Sequence, residues 1–363
     1  MSQALRFLLA GPGLIGKKHA ALIQSRPDAE LQAIIAPDRE ENTAFAEFHG
    51  VPLSIDLETV LDQDPFDAAI ISSPTNFHFD QTMACIARRI PVLVEKPVTD
   101  RLETAYSLAK AVDDSGVPVL VGHHRTYSTL LSTAEDFMRS SDFGRLVTVS
   151  GSALFYKPER YFLEGEWRAK PGGGPILINL IHEIGLMRHF CGEINSVFAF
   201  ANNEIRSFEV EDTVALNFTF ESGALGTFIL SDVAASSKSW EMTSGENPAY
   251  PYFPDEDCYH FAGTNGSIDF PSMRIRTYKG AEEASWWQPF HTTRLDATRS
   301  DPLERQLAHF VDVIRGTATP LVSAQDSFRN MLVIEAIHRS LESGQIVRPD
   351  SLVAELTRGP DYR

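Results

Sequence analysis

Cysteine is scarce in this chain, three among 363 residues, and Cys85, Cys191 and Cys258 are widely spaced with no C-x-x-C pattern. That odd, scattered set excludes a disulfide framework and a structural zinc site. Positive charge is equally short. The formal net charge of −17 describes an acidic body that repels phosphate backbones and anionic membranes, so nucleic acid is not an expected partner and a bound anion must be held by local groups. No apolar run approaches membrane-spanning length, so no membrane partner is expected either. Met1 leads straight into a short apolar segment, without a basic stretch and a longer hydrophobic one; with the cysteine usage this predicts a cytoplasmic protein. Internal repeats and low-complexity tracts are missing, and the histidines lack metal-ligand spacing with nearby Cys or Asp. No metal is expected.

What is present is an ordinary globular composition, 43% apolar and 22% charged, on a chain long enough for two cores. Short apolar runs at 5–10, 31–36, 68–72, 92–94 and 117–121 read as buried strands, with helical patterns at 17–24, 80–88 and 102–115 between several of them. That alternation predicts a parallel sheet with right-handed crossovers. After a further helix at 133–140 the pattern changes: strands are expected at 147–155, 196–202, 213–220, 225–231 and at 259–261 paired with 267–270 across Gly263-Thr264-Asn265-Gly266. Strand following strand implies a mostly antiparallel sheet, and a helix at 176–190 is available to cover one face. The stretch 234–257, rich in Ser, Pro and Gly and carrying Trp240 and Tyr250, reads as a loop ordered over something, with a lid as one candidate. Helices return at 302–315 and 323–343.

The loop Gly11-Pro12-Gly13-Leu14-Ile15-Gly16 follows the first strand and opens a helix. Gly11 permits the tight turn, Gly13 lets backbone approach a pyrophosphate, Gly16 allows close helix packing, and the N–H groups at Leu14 and Ile15 begin the anion-binding helix end. The pattern predicts a Rossmann dinucleotide-binding domain over residues 1–125 and an α+β domain with a large, mostly antiparallel open sheet over 126–363, with C-terminal helices free to pack back on the first. At the end of the second strand, where an acid usually reads the ribose, stands Ala36, followed closely by Asp38 and Arg39. Asp38 suits ribose hydroxyls and Arg39 a 2′-phosphate, so NAD and NADP both stay open.

Two further segments fall at strand C-termini, the ligand edge of such sheets: Ser73-Pro74-Thr75-Asn76-Phe77-His78 and Glu95-Lys96-Pro97. With the glycine loop, with Gly122-His123-His124-Arg125, and with Gly172-Gly173-Gly174-Pro175-Ile176-Leu177-Ile178-Asn179-Leu180-Ile181-His182, they make five ordered motifs. In these the chain resembles the Gfo/Idh/MocA family (glucose-fructose oxidoreductase, inositol dehydrogenase, rhizopine catabolism). The resemblance implies an NAD(P)-dependent oxidoreductase acting on a secondary alcohol or carbonyl of a sugar, cyclitol or related polyol. Lys96 would reach both the nicotinamide ribose and the substrate hydroxyl, His182 would be the acid/base residue, and the chain would form a homodimer or homotetramer. The elementary chemistry agrees, because alcohol oxidation by hydride loss needs a group to take the hydroxyl proton and a cation to stabilise alkoxide charge.

Gly11, Gly13, Leu14, Ile15, Gly16, Asp38, Arg39, Ser73, Pro74, Thr75, Asn76, His78, Glu95, Lys96 and Arg125 are accordingly the expected cofactor contacts. Helical spacing sets Leu177, Leu180, Ile181, Ile184 and Met187 in an apolar stripe and leaves Asn179 and His182 together on an adjoining face. Tyr156, Arg168, Asn179 and His182, with Lys96, are the expected substrate contacts. The sequence departs from the commonest family pattern where an Asp stands four residues before the histidine and another three after it: here those positions are Ile178 and Gly185. Cations at Lys157 and Arg168 suit a carboxylate or a hydroxyl-rich ligand equally, which keeps a cyclic dihydrodiol or its carboxylate open as substrate. An NAD-dependent glycosidase is the alternative enzyme class. A dinucleotide-binding sensor is disfavoured, since such relatives tend to lose the lysine and histidine.

Overall fold

The computed structural model describes residues 4–278, 280 and 284–357. The chain divides into two compact units, one made of the residues up to Tyr127 with Leu303–Met331, the other of Ser128–Pro302 with the residues from Leu332 onward. Among the described residues the strands form two sheets.

In the first unit the elements run β1 (Leu5–Ala10), α1 (Leu14–Gln24), β2 (Ala29–Ile35), α2 (Glu40–His49), β3 (Leu53–Ser54), α3 (Leu57–Gln63), β4 (Ala68–Ile71), α4 (His78–Ala87), β5 (Val92–Val94), α5 (Leu102–Ser115) and β6 (Val119–Val121). All pairings are parallel, in the order β3-β2-β1-β4-β5-β6. Helices on both faces explain why β4, β5 and β6 are apolar at every position and wholly buried, with no alternation. The two-residue β3 escapes the sequence reading because it is too short to carry a period. The remaining shifts sit at element ends: α1 starts at Leu14 and α4 at His78, because the turns before them wind directly into helix.

The second unit contains α6 (Thr129–Met138), β7 (Leu146–Leu154), α7 (Glu159–Leu163), α8 (Ile181–Cys191), β8 (Ile194–Asn202), β9 (Thr213–Phe220), β10 (Leu225–Ser231), α9 (Trp240–Thr243), β11 (Tyr259–Gly263), β12 (Gly266–Phe270), β13 (Arg274–Thr277) and β14 (His291–Arg294). α6 begins earlier than the apolar pattern suggests because the Ser128 hydroxyl caps it, accepting from Leu130 N. The sheet runs β14-β13-β12-β11-β7-β10-β9-β8, antiparallel except where β7 and β10 lie parallel. β13 and β14 extend it past the expected limit; their sequences, Arg-Ile-Arg-Thr and His-Thr-Thr-Arg, carry little apolar signal, and β14 is the edge strand. One face buries Val149, Leu216, Phe218, Phe228, Phe261 and Phe270, and α8 lays Phe190 against Phe261 and Phe270 at ring separations of 5.0 and 5.5 Å. The opposite face of β8–β10 leaves Phe200, Leu225 and Ile229 exposed.

Two expectations are corrected. The helix read over 176–190 is two pieces, a π-helical turn at Ile176–Leu180 and then α8, so the i, i+3 spacing used for Asn179 and His182 does not hold across the junction. Leu177 is only partly buried, while Ile176 and Glu183 are buried. The stretch 234–257 is also not all loop: Trp240 opens α9 and is a core residue, 5% exposed and 5.6 Å from Phe270. Tyr250 stays exposed.

The chain ends with α10 (Pro302–Ile314), α11 (Ala324–Ser343) and α12 (Pro349–Thr357). α10 completes the first unit's core with Leu307, Phe310, Val311 and Val313, and Phe310 meets Phe7 of β1 edge-on at 6.2 Å. Phe310 is fully buried, so Phe310→Ala is expected to cost about 3–5 kcal/mol in urea unfolding; a loss under about 1 kcal/mol would contradict the placement of α10 in that core.

Candidate functional site

The first group of residues lies along the C-terminal edge of the six-stranded sheet. Gly11 has φ +85°, and a Cβ there would lie 2.4 Å from Ser73 N; a Cβ on Gly16 would lie 2.1 Å from Gly11 O. No side chain larger than hydrogen fits at either position. Gly13 differs, because a Cβ on it would meet nothing within 4 Å. It is also the N-cap of α1 and makes no side-chain cap, so the first-turn N–H groups at Leu14, Ile15 and Gly16 face the opening without such a partner. Free donors, a helix-end dipole and open space together fit the pyrophosphate of a dinucleotide. Leu14 is 86% exposed, an unfavourable position for a leucine unless something covers it.

Ser72 braces the loop from β4, its hydroxyl donating to Gly11 O at 2.8 Å. Ser73 donates to Gln81, and Pro74, Thr75 and Asn76 form the outer turn, with Asn76 exposed. His78 lies beneath, 1% exposed, its ring nitrogens 2.9 Å from Pro97 O and 2.8 Å from Ser73 O. Burial pushes that imidazole below its ordinary pKa against the pull of the two carbonyls. Glu95 is likewise buried: Oε1 takes a 2.8 Å hydrogen bond from His19 and Oε2 one of 3.3 Å from Lys96 N. His78 and Glu95, both expected to contact a cofactor, thus make hydrogen bonds within the protein. Arg125 is 4% exposed in the turn His124–Tyr127. Asp38 and Arg39 stand exposed beyond β2, with Asp38 accepting from Thr43 Oγ1 at 3.1 Å. His19, three residues past the glycine loop, escaped the sequence reading, although a polar residue on the sheet-facing side of α1 was a usable signal.

The second group belongs to the other unit. The turn before the π-helical segment needs glycine: Gly172 and Gly174 have φ of +89° and +79°, and a Cβ on Gly173 would lie 2.5 Å from Trp167 O. Glu211 caps the segment, accepting from Ile176 N at 2.8 Å, and burial raises its pKa. His182 follows in the first turn of α8, 6% exposed. Asn179 Oδ1 accepts from Lys157 Nζ at 2.7 Å, which turns its amide N–H₂ away from the lysine. Lys157 Nζ is 3.7 Å from Asp232, whose other oxygen is 2.7 Å from Arg206 Nε, and Arg206 also donates to Lys157 O. Arg168 stacks on Tyr161 at 3.9 Å and donates to its carbonyl. Tyr156 is exposed. Lys157 and Arg168, read from sequence as cations available to a ligand, are thus committed within the unit. Arg206, Asp232 and Glu211 escaped the sequence reading because their partners are distant in the chain.

Asp232 is 2% exposed and faces both Lys157 and Arg206. Asp232→Ala strands two cations and is expected to cost about 3–5 kcal/mol in thermal or urea unfolding, against about 0–1 kcal/mol for breaking the exposed Arg294–Asp255 pair. Equal costs would contradict the account of this network.

Residues 5–123 match the model of the Gfo/Idh/MocA oxidoreductase family, described as an NAD-binding Rossmann fold, and residues 131–269 match that family's C-terminal domain. The chain is 28% identical to scyllo-inositol 2-dehydrogenase (NAD(+)) of Bacillus subtilis over 96% of this chain and 98% of that protein. It is 23% identical to D-xylose 1-dehydrogenase (NADP(+)) 2 of Haloferax volcanii over 95% and 100%. Among solved structures, the WlbA dehydrogenase of Bordetella pertussis, in complex with NADH and UDP-GlcNAcA, shares the fold at TM-score 0.76 and 22% identity over 95% of this chain and 99% of that one. No helix among the described residues is long and apolar enough to cross a membrane. With family models covering more than half its length, and with a glycine loop shaped for a dinucleotide, the chain belongs to the Gfo/Idh/MocA family and is an NAD(P)-dependent oxidoreductase.

Proposed function

We propose that the protein transfers a hydride between a nicotinamide and a secondary alcohol, or the matching carbonyl, of a sugar, cyclitol or related polyol. The observation that carries this reading is Lys96, on the sheet edge that bears the glycine loop, its backbone N–H held by the buried Glu95. The dinucleotide, when bound, supplies the hydride acceptor or donor. The first-turn N–H groups of α1 hold the pyrophosphate, with Ser73, Pro74, Thr75, Asn76 and Arg125 lining the rest of its path and Asp38 or Arg39 at the adenosine ribose. The Lys96 ammonium stabilises alkoxide charge at the reacting carbon's oxygen, and His182 accepts the hydroxyl proton in oxidation and returns it in reduction. Asn179 presents its amide N–H₂ to a substrate oxygen, with Tyr156 and Arg168 as further substrate contacts.

Relatives named for inositol and xylose oxidation support this substrate class. One of them uses NAD(+) and one NADP(+), and exposed Asp38 and Arg39 accommodate either. A second copy of the chain would cover the outer face of β8–β10, where Phe200, Leu225 and Ile229 are exposed, giving a dimer or tetramer. The three buried thiols suit a reducing, cytoplasmic setting, and the net charge of −17 speaks against a nucleic-acid partner.

The test is a panel of scyllo-inositol, myo-inositol, D-xylose, D-glucose and a cyclic dihydrodiol with NAD+ and NADP+, followed by absorbance of the reduced cofactor. Net reduction with a polyol is expected. Cleavage of nitrophenyl glycosides without net reduction would instead place the chain among NAD-dependent glycosidases. On the active pair, Lys96→Ala is expected to lower kcat about 10²–10³-fold and His182→Ala about 10²–10⁴-fold; full turnover by either variant would overturn the role given to that residue.

A further inference from the structure

The residues on both sides of Lys96 are anchored by buried histidines from two different helices. On one side His19, fully buried on α1, is bonded through Nε2 to Glu95 Oε1 at 2.8 Å. A carboxylate only accepts, so the proton is on Nε2. On the other side His78 of α4 holds Pro97 O at 2.9 Å. The second Glu95 oxygen accepts from Lys96 N itself. Space for this carboxylate is reserved across the strand ends: a Cβ on Gly122, just past β6, would lie 2.8 Å from the Glu95 carboxyl carbon. We propose that His19 and Glu95 are a positioning pair for Lys96, tying the helix that opens the dinucleotide loop to the strand end that carries the lysine.

Burial of a carboxylate is the physical argument for a role beyond packing. Desolvation opposes the charge of Glu95, yet the His19 hydrogen bond, with Lys96 nearby, brings its pKa below the usual carboxylate value. The neighbouring His124 is pushed down to about 3 by burial and by Arg125. Apolar residues of the same volume generally fill such a space with no loss of stability. What they cannot supply is an anionic acceptor for the Lys96 backbone, fixed to the same helix whose N-terminus meets the dinucleotide. α1 and Lys96 therefore move as one piece, and the lysine keeps its distance from whatever the glycine loop holds.

This inference rests on the reading of Lys96 as a cofactor contact, and the experiment separates the two. Dissociation constants for NADH or NADPH, whichever binds the unaltered protein more tightly, are measured by nicotinamide fluorescence in a double-mutant cycle. Lys96→Ala and His19→Ala are each expected to weaken binding about tenfold, and the double variant to bind no more weakly than Lys96→Ala alone, because His19 acts through the lysine. His19→Gln, which still offers an N–H to Glu95, is expected to restore binding to within about threefold of the unaltered protein. Independent losses that multiply to about a hundredfold in the double variant would overturn the pairing, as would an unrescued His19→Gln. If Lys96→Ala binds as the unaltered protein does, the role of Lys96 fails first and the pairing with it. Should His19→Ala not fold, Glu95→Gln takes its place in the cycle with the same outcomes.

Discussion

The carbonyl oxygen of Gly11 lies 2.1 Å from where a Cβ of Gly16 would be, and Gly11 itself leaves no room for a Cβ against the backbone of Ser73. Three backbone segments, the end of β1, the start of α1 and the end of β4, meet there. Ser72 closes the contact by donating to Gly11 O. This approach fixes where the N-terminus of α1 points and, one turn later, where His19 falls: onto Glu95, at the end of β5. The ligand edge of the first unit is therefore a consequence of backbone packing before any side chain meets a ligand.

The second unit solves a comparable problem with charge. Arg206, Asp232 and Lys157 form a buried chain of alternating sign that ends on the Asn179 amide. Buried pairs of this kind add little net stability over apolar packing, but removing one member is costly, so they hold geometry more than they hold the fold. Glu211 adds a cap to the π-helical turn from the same side of the sequence. A π-turn widens the helix by one residue per turn and often marks sites where side-chain direction matters more than regularity; here it precedes His182.

Much of this was legible in the sequence, for identifiable reasons. Parallel strands buried on both faces give unbroken apolar runs, and a glycine loop between strand and helix has few other uses, so five of the first sheet's six strands and the loop itself could be read from the sequence. The alternating strands of the second unit were equally clear. Local exceptions were not: a π-turn has the composition of a helix, Trp240 in a polar stretch resembles a lid residue until its contact with Phe270 is known, and edge strands such as β14 carry no apolar period. Pairings between distant residues, His19 with Glu95 and Arg206 with Asp232, leave no mark in a single sequence. The same limit applies to Lys157 and Arg168, whose charge was visible but whose commitment to Asp232 and Tyr161 was not.

The most direct test of the account is a crystal structure of the protein with bound NADH. The account predicts the pyrophosphate within hydrogen-bond distance of the Leu14 and Ile15 N–H groups, in the opening above Gly13, with the nicotinamide ribose against the Lys96 ammonium and the His19–Glu95 bond intact. A dinucleotide bound away from the glycine loop, or one that leaves Lys96 turned from the nicotinamide ribose, would contradict it.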